Sequence, residues 1–349
     1  MPKKFFYFVT IIFILSMLTG CFSISINKPN TTPNTPSNPT NPPVENEKPT
    51  VYVLSVGIND YASDNLNDLL GCENDATSFN NKFKEDVYIN LVAQTLLSEQ
   101  ATKENIKNAI YSLTNSANED SIFIFTYSGH GLRHSSETVE YIAPYDTVLT
   151  QESLISDQEL KAWVNNIKPE TCIFIFDACH SAGMIKPSDD PSYNYRSVLY
   201  LQSDMSIIAK NLSEISTKNI IAMSASDIHE YSSDMYNFTW AGGLFSTFIL
   251  EGMSKKGDTM HLLTIPENDY PADGYILSAN EHAQGTAAGV KDNIITVSEA
   301  FNYAAKKVDE YQKQHANSLG STQTPYFYCS APVNTNNITA LFHIPAETL

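Results

Sequence analysis

Positive charge is scarce in this chain of 349 residues: 21 Lys and Arg stand against 39 Asp and Glu, a formal net charge of −18. Arg133 and Arg196 are its only arginines. Gripping a phosphate backbone needs a basic footprint, so nucleic acid is excluded as a partner. Long apolar runs are missing too. The stretch from Phe5 to Leu18 is too short for a comfortable membrane span, which takes about 20 residues. His134, His229, His261, His282, His315 and His343 show neither metal-ligand spacing nor a cysteine partner pattern, so no zinc site is expected. There is no internal repeat. Neither Tyr127-Ser128-Gly129 nor His180-Ser181-Ala182 fits Gly-x-Ser-x-Gly, which removes a hydrolase built on a serine elbow.

What is present begins with 17 Phe and 19 Tyr, ample for the core of one or two domains. At the start, Lys3 and Lys4 precede the apolar run, which stops at Leu18-Thr19-Gly20-Cys21. This is export-signal grammar. Leu-x-Gly-Cys resembles the bacterial lipobox, in which the cysteine becomes the lipidated first residue of the mature chain. The expectation is a signal peptide over 1–20 and a lipidated Cys21, tethering the protein outside the cytoplasmic membrane. The alternative is an ordinary signal or uncleaved anchor with an incidental cysteine. Residues 21–49 are rich in Pro, Asn and Thr, cannot bury enough to order themselves, and read as a disordered spacer. The folded domain is expected over 50–349.

Two hydrophobic runs organise that domain: Ser121 to Gly131 (SIFIFTYSGHG) and Thr171 to Gly183 (TCIFIFDACHSAG). Each opens with four consecutive apolar residues, the pattern of a strand covered on both faces. Val51 to Gly57 reads as a third buried strand. Helices are expected from Gly71 through Lys84, Thr102 to Leu113, Ser156 to Asn166, Gly242 to Gly252 and Thr296 to Gln314, with further strands at Leu91 to Leu97, Asn219 to Ala225 and, last, Thr324 to Cys329. Strand and helix alternate, so a mainly parallel α/β sheet is predicted. Ligands bind beyond the carboxyl ends of such strands, where the two runs place His130 and Cys179. Neighbouring strands would bring this base and this soft nucleophile together. Cys172 and Cys329 fall on strands and read as buried small residues; the alternative, an extracytoplasmic disulfide between them, is not indicated.

Ser-Gly-His-Gly ending one apolar strand and Asp177-Ala178-Cys179-His180-Ser181 ending the next resemble the caspase and metacaspase superfamily of cysteine peptidases. The likeness spans Val51 to Cys329 and includes Ala225-Ser226, Gly242-Gly243-Leu244-Phe245-Ser246-Thr247 and Thr322-Gln323-Thr324-Pro325. More specifically, it resembles a bacterial caspase-family lipoprotein of the metacaspase or orthocaspase kind. Animal caspases carry Gln-Ala-Cys-Arg-Gly or a close variant at the cysteine, which this chain does not. The resemblance implies a caspase-like three-layer α/β/α sandwich and a Cys179 nucleophile with His130 as base and acid. It also implies Gly131 and Cys179 amides as oxyanion donors, and a backbone carbonyl orienting the histidine.

In metacaspase-like enzymes the pocket for the residue before the cleaved bond is acidic, and its lining matches Cys72, Asp75, Ser128 and Asp177. Two carboxylates there select Arg or Lys in a protein or peptide substrate. Taken singly, Asp75 also reads as a carboxylate favoured at a helix N-terminus, and Asp177 as a buried structural hydrogen-bond partner. No cofactor is required. The resemblance allows calcium as an activator, with Glu140, Asp157, Asp189 and Asp190 as candidate ligands, beside Asp146; the alternative for these is solvated surface. Lys186, Arg196, Lys210 and Lys218 are places where an enzyme cutting after basic residues could cleave itself. The competing functional class is a catalytically inert caspase-like binding or assembly module.

Overall fold

The computed structural model describes residues 48–134, 139–179, 199–200, 218–226, 232, 242–254, 261–262, 287–288, 294–315, 323–329 and 340–344. Along the chain these form β1 (Thr50–Gly57), α1 (Cys72–Lys84), β2 (Asn90–Leu97), α2 (Lys103–Leu113), β3 (Ile122–His134), β4 (Glu140–Ile142), β5 (Ile155–Ser156), α3 (Asp157–Asn165) and β6 (Thr171–Cys179). There follow β7 (Leu199–Tyr200), β8 (Asn219–Ser224), α4 (Leu244–Gly252), β9 (His261–Leu262), β10 (Ala287–Ala288), β11 (Ile294–Thr296), α5 (Val297–His315), β12 (Tyr326–Cys329) and β13 (Ala340–His343).

The central sheet runs β12-β8-β6-β3-β1-β2. All neighbours along it are parallel except β12, which lies antiparallel to β8. The unbroken apolar runs have the expected cause. Phe123 and Phe125 of β3 and Phe174 and Phe176 of β6 pack on one face with Ile106 and Ile110 of α2 and Leu160 and Trp163 of α3. Ile124, Ile173 and Ile175 point to the other face, against Phe79 and Phe83 of α1, Phe245 and Ile249 of α4 and Phe301 and Ala304 of α5. Helices therefore cover both faces, which makes the three-layer α/β/α sandwich. Each phenylalanine so buried contributes roughly 1.5–3 kcal/mol; Phe174 and Phe176 add a stacked contact at 6.0 Å between ring centroids.

Helix starts follow local chemistry. Ser156 and Glu159 form a reciprocal capping box on α3, and Thr102 accepts from Asn105 N–H at the start of α2 (3.2 Å). Gly71 precedes α1 with φ 102°, a left-handed conformation that glycine adopts without strain.

Three expectations need correction. His130 does not end β3. The strand continues to His134, leaving β6 at His130 and pairing onward with β4 from Gly131 and with β7 at Arg133 and His134. On the near side of this change of partner stands Gly129, where a Cβ would lie 2.6 Å from Tyr127 Oη. Tyr326–Cys329 is not the last strand: β13 pairs antiparallel with β11, outside the central sheet. Finally α4 starts at Leu244 rather than Gly242, because Gly242 and Gly243 lie against two buried carboxylates.

Candidate active site

In β3 and β6 the register runs from Ile122 opposite Thr171 to His130 opposite Cys179. Adjacent strands lie about 4.8 Å apart, so residues 49 positions apart in sequence become lateral neighbours where the parallel pairing stops. His130 is 3 % exposed. Its Nε2 lies 2.8 Å from the Asn67 carbonyl oxygen. A carbonyl only accepts, so Nε2 carries the proton and Nδ1 the basic lone pair. The Tyr61 ring packs on the imidazole, centroids 4.9 Å apart.

The backbone is equally constrained. His130 N–H donates to the Tyr61 hydroxyl (2.8 Å), and the His130 carbonyl accepts from Tyr127 O–H (2.7 Å) and Ala143 N–H (2.9 Å). That last bond makes His130 and Ala143 a bonded pair of the antiparallel ladder and Gly131 and Ile142 a non-bonded pair. The Gly131 N–H is therefore directed away from β4.

Asp75 and Asp177, 3 % and 1 % exposed, come together at the start of α4. Asp75, in the first turn of α1, accepts from Ser128 O–H (2.7 Å) and from Gly243 N–H (3.0 Å to one oxygen, 3.1 Å to the other). Asp177 accepts from Ser232 O–H (2.6 Å) and Ser246 N–H (2.8 Å). A Cβ on Gly242 would sit 2.6 Å from Asp75 Oδ1, and one on Gly243 2.1 Å from Asp177 Oδ2. Burial pushes the Asp177 pKa up; the bonds from Ser232 and Ser246 pull the other way. Cys72, one helical turn before Asp75, is a buried cysteine outside any disulfide. Of the pocket residues named from sequence, Asp75 and Ser128 touch directly, and Asp177 joins them through the diglycine.

Cys172 is no rival nucleophile: it is a buried free thiol whose pKa burial pushes up to about 12, with Lys218 acting weakly against that. Lys218, one of the four basic residues named for self-cleavage, donates to the Ile167 and Pro169 carbonyls at 2.8 and 2.7 Å. Glu140 and Asp157 are both buried, and Asp157 accepts from Gln158 N–H at 2.7 Å; Asp146 accepts from Lys103 N–H. Among the described residues no three His, Cys, Asp or Glu side chains gather as a metal site. Cys21, Lys186, Asp189, Asp190, Arg196 and Lys210 lie outside the described residues. Residues 1–20 and the spacer up to 47 do as well, and among the described residues no helix is long and apolar enough to cross a membrane.

The parts that sequence reasoning missed are Tyr61, Asn67, Tyr127, Ser232 and the diglycine. Only the diglycine had a signal, as a motif with no role attached.

A mainly parallel sheet between two helical layers, with histidine and cysteine in register at its carboxyl edge, defines a caspase-like α/β fold. Residues 50–334 match the family model described as the caspase domain, and the chain belongs to that family. It is similar to Metacaspase-1A of Aspergillus terreus, 25 % identical over 311 residues and covering 81 % of this chain and 71 % of that protein. It is 28 % identical to Metacaspase-1 of Botryotinia fuckeliana over 313 residues, 81 % and 68 % of the two chains. Among solved structures, a protein of Geobacter sulfurreducens aligns over 81 % of this chain and 94 % of its own at 16 % identity and TM-score 0.48. Caspase-1 of Spodoptera frugiperda aligns over 81 % and 87 % at 11 % identity and TM-score 0.41. The chain is accordingly a cysteine-type endopeptidase of the caspase and metacaspase superfamily.

Proposed function

We propose that this peptidase is tethered to a membrane through a lipidated Cys21 and cuts protein chains after Arg or Lys with a Cys179–His130 dyad. The observation that carries the reading is the register of His130 with Cys179 at the point where β3 leaves β6. His130 Nδ1 takes the thiol proton, and the thiolate attacks the carbonyl carbon. The resulting oxyanion is met by the Gly131 and Cys179 N–H groups. The C–N bond then breaks as the imidazolium gives its proton to the leaving amine, leaving a thioester on Cys179. Water, deprotonated by His130, attacks the thioester; the C–S bond breaks and the thiol is restored. No step requires a cofactor, and none is routed through calcium.

Specificity rests on Asp75 and Asp177, with Ser128 and Cys72 beside them. Both carboxylates already accept hydrogen bonds from the chain, Asp75 from Ser128 and Gly243 and Asp177 from Ser232 and Ser246, and a guanidinium or ammonium group would add a charge-assisted one. Burial raises the Asp177 pKa, and the ionised carboxylate is the form with which a guanidinium or ammonium group pairs. The test is turnover of short peptides presenting Arg, Lys or Asp before the cleaved bond, with and without calcium. Arg and Lys peptides are turned over, and Cys179→Ala abolishes it. Turnover of the Asp peptide alone would overturn the pocket reading.

A further inference from the structure

Two phenols interrupt the ladder between β3 and β4 at His130. A bonded antiparallel pair ordinarily exchanges two hydrogen bonds. Here Ala143 N–H reaches the His130 carbonyl, but His130 N–H turns to the Tyr61 hydroxyl instead. The two hydroxyls are hydrogen-bonded, and because the single Tyr127 proton faces the His130 and Ala143 carbonyls, Tyr61 O–H is the donor and Tyr127 Oη the acceptor; burial raises the Tyr61 pKa. Tyr127 lies 2.7 Å from the His130 carbonyl oxygen and 3.0 Å from that of Ala143. The bonds therefore form a ring that leaves His130 by its N–H and returns to its carbonyl. Gly129 makes room for it: a Cβ there would stand 2.6 Å from Tyr127 Oη and 2.9 Å from Tyr61 Oη.

The carbonyl of His130 and the N–H of Gly131 are opposite ends of one planar peptide. A donor on the carbonyl fixes that plane and polarises the N–H at its far end. We infer that Tyr61 and Tyr127 are positioning residues of the peptidase: their hydroxyl ring holds the His130–Gly131 peptide so that Gly131 N–H meets the developing oxyanion. The inference rests on the dyad reading above.

The test separates oxyanion stabilisation from thiol ionisation. Alkylation of Cys179 by iodoacetamide needs the thiolate and no oxyanion donor, whereas peptide turnover needs both. In the full-length protein, Tyr127→Phe is expected to lower kcat about tenfold at unchanged KM while the alkylation rate stays at the wild-type value. Tyr61→Phe breaks the same ring from the other side and gives the same split, so it serves if the first variant does not fold. An unchanged kcat, or a parallel fall in kcat and alkylation rate, overturns the inference. Wild-type protein that keeps full activity after Cys179 is alkylated overturns the dyad reading, and this inference with it.

Discussion

Asp177 is a carboxylate shut away from water whose described partners, Ser232 and Ser246, are neutral donors. Burial raises its pKa in the folded chain above the ordinary aspartate value. The stability linked to this group is therefore fully present below its unfolded pKa and is lost as the pH rises through the folded one. Binding of the proposed Arg substrate would run the opposite way, because a guanidinium prefers the ionised carboxylate. KM for an Arg peptide is thus expected to rise as the pH falls through the folded pKa of Asp177. Asp177→Asn should raise KM at neutral pH by about tenfold or more, since a charged hydrogen bond is lost, and flatten that acid-side dependence. Steady-state kinetics across the acid range checks both.

At the scale of elements, α4 borrows its cap. Its own N-cap residue, Gly243, has no side chain to offer, and Asp177 from β6 takes the Ser246 N–H while Asp75 from α1 takes the Gly243 N–H. Three elements meet on a diglycine that admits no Cβ. Gly243→Ala is expected to lower stability by about 1–3 kcal/mol, read as a lower urea midpoint at unchanged slope, because the added methyl collides with a carboxylate that has nowhere to go.

The same junction explains what could and could not be read from the chain. β3 and β6 were legible because burial on both faces writes itself as an unbroken apolar run, and α3 because Ser156 and Glu159 stand three apart. The clamp on His130 was not. Tyr61 and Asn67 belong to a loop 69 and 63 positions from His130, and Gly243 reaches Asp75 across 168. No local periodicity carries such contacts, and the change of strand partner at His130 has no composition of its own.

For the whole molecule, helices on both faces of the sheet leave the carboxyl edge as the place where the chain presents reactive groups. The proposed tether acts at a different level from this chemistry. Cys21→Ser is expected to shift the protein from the membrane pellet to the soluble fraction while peptide turnover per molecule stays the same. Fractionation with an activity assay on both fractions checks it, and retention in the pellet would argue for an uncleaved anchor.

β3 serves two sheets without a break, and its imidazole sits at the seam between them. Along a strand, odd and even positions face opposite ways. A slip of a single residue between the antiparallel flap and the central sheet would bring Gly129 or Gly131 to the place of His130. Either leaves a bare backbone there, so the misaligned chain would keep its ladders and lose its base, and parity alone separates a working molecule from an idle one.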